Sequence, residues 1–157
     1  MQLFIIRHGQ AEIQKTTDEV RNLTLAGRHE VSATALRSLQ DLQSVKQVWV
    51  SPLVRAQQTA KIVCDILTQR AANFTVRNTD LLIPEAKPSL LFDALQNAPA
   101  ESILWVSHQP LVGQFIDLFC DTYPGFHEMN TSSLACIDYQ VAAAKLGTLR
   151  WLRHSNV

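Results

Sequence analysis

Short apolar runs alternate with longer amphipathic segments along the chain. Three of these runs, at residues 3–6, 45–50 and 102–107, are mostly apolar and end abruptly at polar residues. A run of this length is typical of a strand that is buried on both faces. We therefore predict three central strands of one covered sheet.

The segments between these strands have the spacing of helices. In residues 25–42 the apolar positions 31, 35, 39 and 42 recur every three or four residues, which predicts a helix with one buried stripe. Thr24 is its expected N-cap, because a hydroxyl there accepts a free amide of the first turn. The helices predicted at 53–70, 88–96 and 111–120 begin at or just after a proline, whose missing amide costs nothing in a first turn.

The remaining segments complete the fold class. Residues 74–77 predict a short strand, 134–141 and 148–152 a C-terminal hairpin, and 10–22, 80–87 and 122–130 loops. Strands that alternate with helices favour a parallel sheet with right-handed crossovers. The prediction is one α/β domain over residues 1–157, with three layers, a mostly parallel sheet, helices on both faces and an antiparallel C-terminal edge.

The composition is ordinary for a soluble globular protein, with 46% hydrophobic and 18% charged residues. Lys plus Arg and Asp plus Glu both number 14, so no general attraction to nucleic acid or an anionic membrane is expected. Cys64, Cys120 and Cys136 have no CxxC spacing and are interpreted as small core residues in a reducing compartment. No stretch has the length of a signal-peptide core or a transmembrane helix, so we expect a cytoplasmic protein, and a monomer because no exposed apolar stripe demands a dimer.

Candidate chemistry lies where the predicted strands end. Arg7, His8 and Gly9 follow the first strand, Arg55 lies in the first turn of the helix after the second, and His108 follows the third. Taken alone, Arg7 to Gly9 are equally compatible with a strand that simply ends in polar residues. Because parallel strand ends share one edge of the sheet, two histidines and two arginines are expected to converge there on a tetrahedral dianion. A metal site is the competing use of two histidines, but the arginines would repel a divalent cation, so neither a metal nor another cofactor is expected.

Four motifs, in this order, make the resemblance to a family specific. They are Arg7-His8-Gly9, then Arg21 with Leu23-Thr24-Leu25-Ala26-Gly27, then Ser51-Pro52-Leu53-x-Arg55-Ala56-x-Gln58-Thr59-Ala60, and finally Val106-Ser107-His108-x-Pro110-x-x-Gly113. Together they cover nearly the whole chain. The sequence resembles the histidine phosphatase (phosphoglycerate-mutase-like) superfamily, and its compactness is similar to that of the short bacterial members that act on protein phosphohistidine.

The resemblance implies a role for each matching residue. His8 would be the nucleophile, which attacks phosphorus through a neutral ring nitrogen. Arg7 and Arg55 would clamp the phosphoryl oxygens, and His108 would add a further donor. Arg21 would contribute another positive group to substrate binding. Gly9 would admit the ligand to the backbone.

The acid of the larger family members has no clear equivalent here. Those members protonate the leaving oxygen with a carboxylic acid from the loop after the third strand, and Glu85 is the acid in the corresponding loop, with a solvated loop side chain as its simpler interpretation. A phosphoimidazole can leave as neutral imidazole, so a missing acid points to P–N rather than P–O substrates. Only 52 residues separate Arg55 from His108, which leaves little chain for a lid and favours an open pocket that admits a protein side chain.

The predicted function is a metal-independent phosphatase that removes phosphate from a histidine of a signalling protein, namely a histidine phosphotransfer domain of a bacterial two-component phosphorelay. The first alternative is a small-molecule phosphomonoesterase with the same nucleophile. A mutase would need a lid to retain its intermediate. A catalytically silent phosphate-binding module would be expected to have lost one of the matching residues.

Other polar residues are interpreted as structural. His29, His127 and His154 are expected at the surface, and Glu12 in a solvated loop. The hydroxyls of residues 131–133 either line the pocket rim or satisfy turn backbone, and the second interpretation is favoured. Ser51 and Ser107 are expected to hold the backbone at strand ends, and Trp105 is expected in the core.

Overall fold

A computed structural model describes residues 1–99 and 101–155, and its centre is a six-stranded sheet. The strands are β1 (Gln2–Arg7), β2 (Val45–Val50), β3 (Thr75–Asn78), β4 (Ser102–Ser107), β5 (Leu134–Asp138) and β6 (Thr148–Arg153). Their order across the sheet is β3-β2-β4-β1-β5-β6. The pairs β2·β3, β2·β4 and β1·β4 are parallel, whereas β1·β5 and β5·β6 are antiparallel. The prediction of a mostly parallel sheet with an antiparallel C-terminal edge is confirmed.

Five α-helices accompany the sheet in the described ranges. They are α1 (Leu25–Arg37), α2 (Leu39–Leu42), α3 (Val54–Gln69), α4 (Pro88–Gln96) and α5 (Leu111–Phe119). Thr24 caps α1 as predicted, because its Oγ1 accepts the Gly27 amide at 2.9 Å. In the described part of the chain, no helix has the length and apolar character needed to cross a membrane.

The helices cover both faces of the sheet and create two cores. Side chains of β1 alternate between them: Leu3 and Ile5 pack with α4 and α5, whereas Phe4 and Ile6 pack with α1 and α3. Each such apolar side chain stabilises the fold by roughly 1.5–3 kcal/mol when it is fully buried. The three-layer prediction is therefore confirmed. Trp105 lies in the first core, stacked on Trp49 with ring centroids 5.8 Å apart, as a core residue should.

Four predicted segments differ in detail from the structure. The strand predicted at 134–141 ends at Asp138. The helix predicted at 25–42 breaks at Ser38, whose φ of −107° and ψ of 18° lie outside the α-helical region and whose buried hydroxyl accepts from Arg153 of β6 at 3.1 Å. The loops predicted at 10–22 and 80–87 each contain one turn of 3-10 helix, Asp18–Val20 and Asp80–Leu82. Hydrophobic periodicity does not detect either feature, because the break leaves the buried stripe in phase and one turn is too short to show a period.

Candidate active site

The strand ends of β1, β2 and β4 meet at one edge of the sheet. The His8 amide donates to the Ser107 carbonyl at 3.0 Å, and the Ser51 amide donates to the Val106 carbonyl at 3.1 Å. These bonds continue the ladders beyond the strands, so the residues that follow each strand are held in register. As predicted, His8 and His108 come together: their ring centroids are 5.0 Å apart, with planes inclined at 54°.

The backbone fixes which nitrogen of His8 carries its proton. Nδ1 lies 2.7 Å from the Gly9 carbonyl, which can only accept, so Nδ1 holds the hydrogen and Nε2 keeps its lone pair. That Nε2 faces Arg55, whose Nε lies 3.3 Å away. The ring nitrogen that keeps its lone pair is therefore the one directed at the guanidinium.

The surroundings also keep His8 uncharged. Burial is the largest cause that lowers its pKa to about 4, and the positive charges of Arg55, Arg7 and Arg21 lower it further against the opposing effect of the Gly9 carbonyl. At neutral pH the ring is thus a neutral imidazole. A neutral imidazole with an unprotonated Nε2 has the form that a nucleophile requires.

His108 is held by a serine. Its Nε2 lies 2.7 Å from Ser51 Oγ, and that same oxygen accepts the Leu53 amide at 3.4 Å. Nδ1 of His108 is buried and has no partner within the described residues. Burial first, and then the neighbouring His8 and Arg55, lower the pKa of His108 well below its ordinary value, so this ring is neutral as well.

Arg7 uses one guanidinium nitrogen to contact the loop before β5 and leaves its Nε–H donor without an acceptor in the described chain. Its Nη1 donates to the Met129 carbonyl at 2.7 Å, whereas its Nε is buried and unpaired in the described part of the chain. Burial is the main cause that lowers the pKa of Arg7. A buried, unpaired donor typically costs about 1–3 kcal/mol. The unpaired nitrogens of Arg7 and His108 therefore indicate a site prepared for a ligand that supplies acceptors.

Arg55 and Arg21 are joined by an acid that sequence patterns did not single out. Arg55 donates from Nη1 to the Asp18 carbonyl at 2.8 Å and from Nη2 to Asp18 Oδ2 at 2.9 Å. Arg21 donates from Nη1 to Asp18 Oδ1 at 3.0 Å and from Nε to the Glu12 carbonyl at 2.8 Å. Burial opposes ionisation of Asp18, but the hydrogen bonds from Arg21 and Arg55 outweigh it and hold the pKa below its usual value. Asp18 therefore lies within the site as an anion.

Hydrogen bonds through Thr59 connect the backbone at Gly9 to the first turn of α3. The Gly9 amide donates to Thr59 Oγ1 at 3.1 Å, and that hydroxyl donates to the Arg55 carbonyl at 2.8 Å. A Cβ on Gly9 would lie 2.8 Å from the Gly27 carbonyl oxygen and from Val31, so packing against α1 by itself requires glycine here. The motif that contains Thr59 was recognised from the sequence, but its contact with Gly9 was not.

The other residues considered from the sequence lie at varied places. Glu85 is exposed and makes no hydrogen bond or ion pair within the described residues, although Ser107 Oγ anchors its loop by donating to the Leu82 carbonyl at 2.7 Å. The Ser132 amide donates to the carbonyls of Arg7 and His8 at 3.2 and 3.1 Å, which agrees with the interpretation that residues 131–133 satisfy turn backbone.

The surface placement expected of His127 is wrong. Its side chain is only 11% exposed, and its Nδ1 lies 2.8 Å from Oδ1 of Asp117, a buried residue of α5. The loop after α5 folds back over that carboxylate, and hydrophobic periodicity does not encode this polar contact within the loop. His29 and His154 are exposed as predicted.

Two surface depressions lie away from His8 and His108, and neither suggests a different centre. One of about 850 Å³ is next to α2, and one of about 620 Å³ is beside Met1 and β5. Neither is lined by His8, Arg7, Arg55 or His108. Within residues 1–99 and 101–155 no group of three or more His, Cys, Asp or Glu side chains is arranged to hold a metal ion.

This fold and this pair of histidines among arginines identify the class of protein: the chain belongs to the histidine phosphatase superfamily. Residues 3–76 match the family described as Histidine phosphatase superfamily (branch 1). Together with the similarity to phosphohistidine phosphatases given next, this membership indicates that the chain is a hydrolase of the phosphatase type.

The individual relatives agree. The chain is 32% identical to the phosphohistidine phosphatase SixA of Escherichia coli over 96% of this chain and 92% of that protein. It is 30% identical to the phosphohistidine phosphatase SixA homolog of Haemophilus influenzae over 74% of this chain and 75% of that one. A solved structure of the protein histidine phosphatase SixA complexed with tungstate has a TM-score of 0.86 and 31% identity, and it covers 99% of this chain and 97% of its own.

Proposed function

We propose that this protein removes phosphate from a histidine side chain of another protein, through a phosphohistidine intermediate on His8. The observation that carries the proposal is the His8 ring, which is neutral, holds an unprotonated Nε2 that accepts only from Arg55 Nε, and is surrounded by arginines. A nucleophile of this kind needs an electrophile that arginines attract. A phosphoryl group meets that requirement.

The phosphoryl group would be bound by donors that now lack partners. Arg7 Nε and His108 Nδ1 are buried without acceptors in the described chain, and Arg55 Nε already points at the reactive nitrogen of His8. These donors would stabilise the equatorial oxygens as negative charge redistributes in the transition state. In this proposal Arg7, Arg55, His8 and His108 are catalytic, Arg21 binds the substrate at the rim, and Gly9 allows the close approach of the ligand.

In the first step His8 Nε2 would attack phosphorus in line as the P–N bond of the substrate breaks. The electron pair of that bond goes to the substrate nitrogen, and the substrate ring, which carries a proton on its other nitrogen, leaves as neutral imidazole. The phosphorylated His8 ring is then cationic, and its Nδ1 hydrogen bond to the Gly9 carbonyl stabilises that charge. Water next attacks phosphorus, the P–N bond to Nε2 breaks, and inorganic phosphate leaves with both protons of the water.

The acids near the site support a P–N substrate. Asp18 is held as an anion and has no proton to give, and Glu85 is exposed with no contact to the histidines. An alkoxide leaving group needs a proton donor, whereas a protonated phosphoimidazole does not. The similarity to proteins named phosphohistidine phosphatase points the same way.

The setting of the reaction belongs to the same proposal. We infer that the substrate is a histidine phosphotransfer domain of a bacterial two-component phosphorelay, and that the protein acts as a cytoplasmic monomer. Equal numbers of acidic and basic residues are consistent with a protein partner and give no reason to expect nucleic acid or a membrane. The alternative, a small-molecule phosphomonoesterase, would require Glu85 or another acid to protonate the leaving oxygen.

The test compares phosphate release from a histidine phosphotransfer domain, phosphorylated on histidine with phosphoramidate, with release from sugar phosphates and p-nitrophenyl phosphate. Wild-type protein with excess chelator is expected to act on the protein substrate alone, and His8→Ala to be inactive. His29→Ala is the matched control, because His29 is exposed on α1. Faster turnover of a phosphate ester would replace this proposal with the phosphomonoesterase alternative.

A further inference from the structure

Asp18 lies between two arginines of the site. One carboxylate oxygen accepts from Arg21 at 3.0 Å and the other accepts from Arg55 at 2.9 Å. The carbonyl oxygen of Asp18 accepts a third bond, from Arg55 Nη1 at 2.8 Å. The single 3-10 turn that contains Asp18 thus connects the loop after β1 to the first turn of α3.

The planar geometry of the guanidinium separates the contacts of Arg55 into two edges. Asp18 occupies the edge formed by Nη1 and Nη2. The other edge consists of the Nε–H group and the second N–H of Nη2. On this inner edge, Nε lies 3.3 Å from His8 Nε2. Two parallel N–H groups on that inner edge fit two oxygens of one phosphoryl group. Asp18 therefore takes the outer edge and leaves the inner edge to the reacting group.

Charge and burial explain why Arg55 needs this partner. The Arg55 side chain is only 4% exposed, and Asp18 is its ion-pair partner in the described part of the chain. A guanidinium in such surroundings is stabilised only when it is paired and hydrogen-bonded. The Asp18 carboxylate, at 37% exposure, compensates the charge without closing the site.

We propose that Asp18 is a positioning residue of this active site, which holds the guanidinium of Arg55 so that its inner edge faces His8. The inference rests on the proposed phosphoryl transfer to His8. Asp18 acts through Arg55, and it restrains Arg21 at the rim with its second oxygen. It makes the clamp ready before the substrate arrives, so it contributes to the rate of transfer more than to the affinity for the protein substrate.

The opposite interpretation of Asp18 predicts the opposite change in reaction rate when its charge is removed. If the carboxylate instead occupied the place of the phosphate, removing its charge would free the arginines and speed the reaction. Under the positioning role, Asp18→Asn, which keeps the shape but loses the charge, lowers kcat by about 100-fold. KM for the phosphorylated phosphotransfer domain changes by less than about threefold, because the rest of the protein surface still binds.

The experiment measures kcat and KM for wild type, Asp18→Asn and the control Asp65→Asn, which alters an exposed acid paired with Lys61 on α3. The same assay is run in an Arg55→Lys background. If Asp18 acts through Arg55, Asp18→Asn adds less than about threefold to the loss caused by Arg55→Lys, because the two changes disrupt one unit. The ¹⁵N signal of the Arg55 Nε–H, assigned by its disappearance in Arg55→Lys, is expected to shift in Asp18→Asn and to stay in place in Asp65→Asn.

Each outcome decides a different question. An active wild type with unchanged or faster Asp18→Asn overturns the positioning role and leaves the proposed function intact. Full additivity with Arg55→Lys also overturns it, since Asp18 would then act independently of Arg55. A wild type that is inactive on the phosphorylated domain, like His8→Ala, defeats the proposed function instead. Thermal unfolding of every variant separates these results from a loss of folded protein.

Discussion

Ser51 Oγ lies 2.7 Å from Nε2 of His108, and the same oxygen accepts the Leu53 amide. Within the described residues, His108 Nε2 is the one acceptor in contact with the buried Ser51 hydroxyl, so the hydroxyl donates its hydrogen to that nitrogen. Nε2 is then the acceptor of the ring and Nδ1 carries the hydrogen. The buried, unpaired Nδ1 is therefore a donor, which is the polarity that a phosphoryl oxygen requires.

Ser51→Ala is accordingly expected to lower kcat by about 10- to 100-fold, because without the hydroxyl nothing selects the tautomer of His108 that donates to phosphate. The rate of phosphate release from the phosphorylated histidine phosphotransfer domain measures the effect. Ser44→Ala, at an exposed hydroxyl that contacts Ser102, is the control and should retain full rate. A Ser51→Ala enzyme with wild-type kcat would show that His108 needs no orientation by Ser51.

The buried, neutral histidines predict how stability depends on pH. His8 has its pKa lowered to about 4, against an ordinary value near 6.5. Between these values the unfolded chain binds more protons than the native protein, so stability falls as pH drops from about 6.5 toward 4. For His8 the loss is on the order of 3 kcal/mol across that window. His108, whose pKa is also lowered, adds to the loss in the same direction.

Thermal unfolding between pH 7.5 and 4.5 measures this dependence. His8→Gln is expected to reduce the fall in Tm on acidification. Glutamine does not titrate, so at this position the unfolded variant no longer binds a proton that the native protein excludes. His29→Gln, which alters an exposed histidine, should reproduce the wild-type slope. Equal slopes in wild type and His8→Gln would mean that His8 is not held neutral by the fold.

The strand ends were predictable from the sequence, whereas the polar contacts between them were not. Apolar runs locate β1, β2 and β4, and parallel topology then requires His8, Arg55 and His108 to share one edge. The role of Asp18 was not predictable, because it lies in a polar loop without periodicity and its partner Arg55 is 37 positions away. His127 was misplaced for the same reason, since Asp117 pairs with it only after the loop folds back over α5. Patterns report which face of an element is buried, but not which polar groups meet across loops.

Glu85→Gln is expected to leave phosphate release from phosphohistidine within about threefold of wild type. The side chain is exposed, and a protonated imidazole leaving group needs no acid. The measurement uses the phosphorylated protein substrate and p-nitrophenyl phosphate in parallel, with Glu30→Gln on α1 as the control. A loss greater than about tenfold on the protein substrate would assign Glu85 a catalytic role and remove one argument for a P–N substrate.

The hydrogen bonds of Asp117 link the stability of the loop after α5 to the position of Arg7. Its buried carboxylate accepts from Thr122 Oγ1 at 2.9 Å, from the Gly125 amide at 2.9 Å, and from the amide and Nδ1 of His127 at 3.0 and 2.8 Å. Two residues beyond His127, the Met129 carbonyl accepts from Arg7. The bonds to Asp117 therefore fix the segment that holds this arginine.

Asp117→Asn exchanges one of these acceptor oxygens for an NH₂ group that faces donors, and we expect it to lower the free energy of unfolding by about 2–4 kcal/mol. Where the variant remains folded, kcat/KM should also fall, because the carbonyl that anchors Arg7 is no longer held in place. Denaturant unfolding and phosphate release measure the two effects, with the exposed Asp121→Asn as the control. Lost stability with unchanged kcat/KM would confine Asp117 to folding and show that Arg7 keeps its position without the loop.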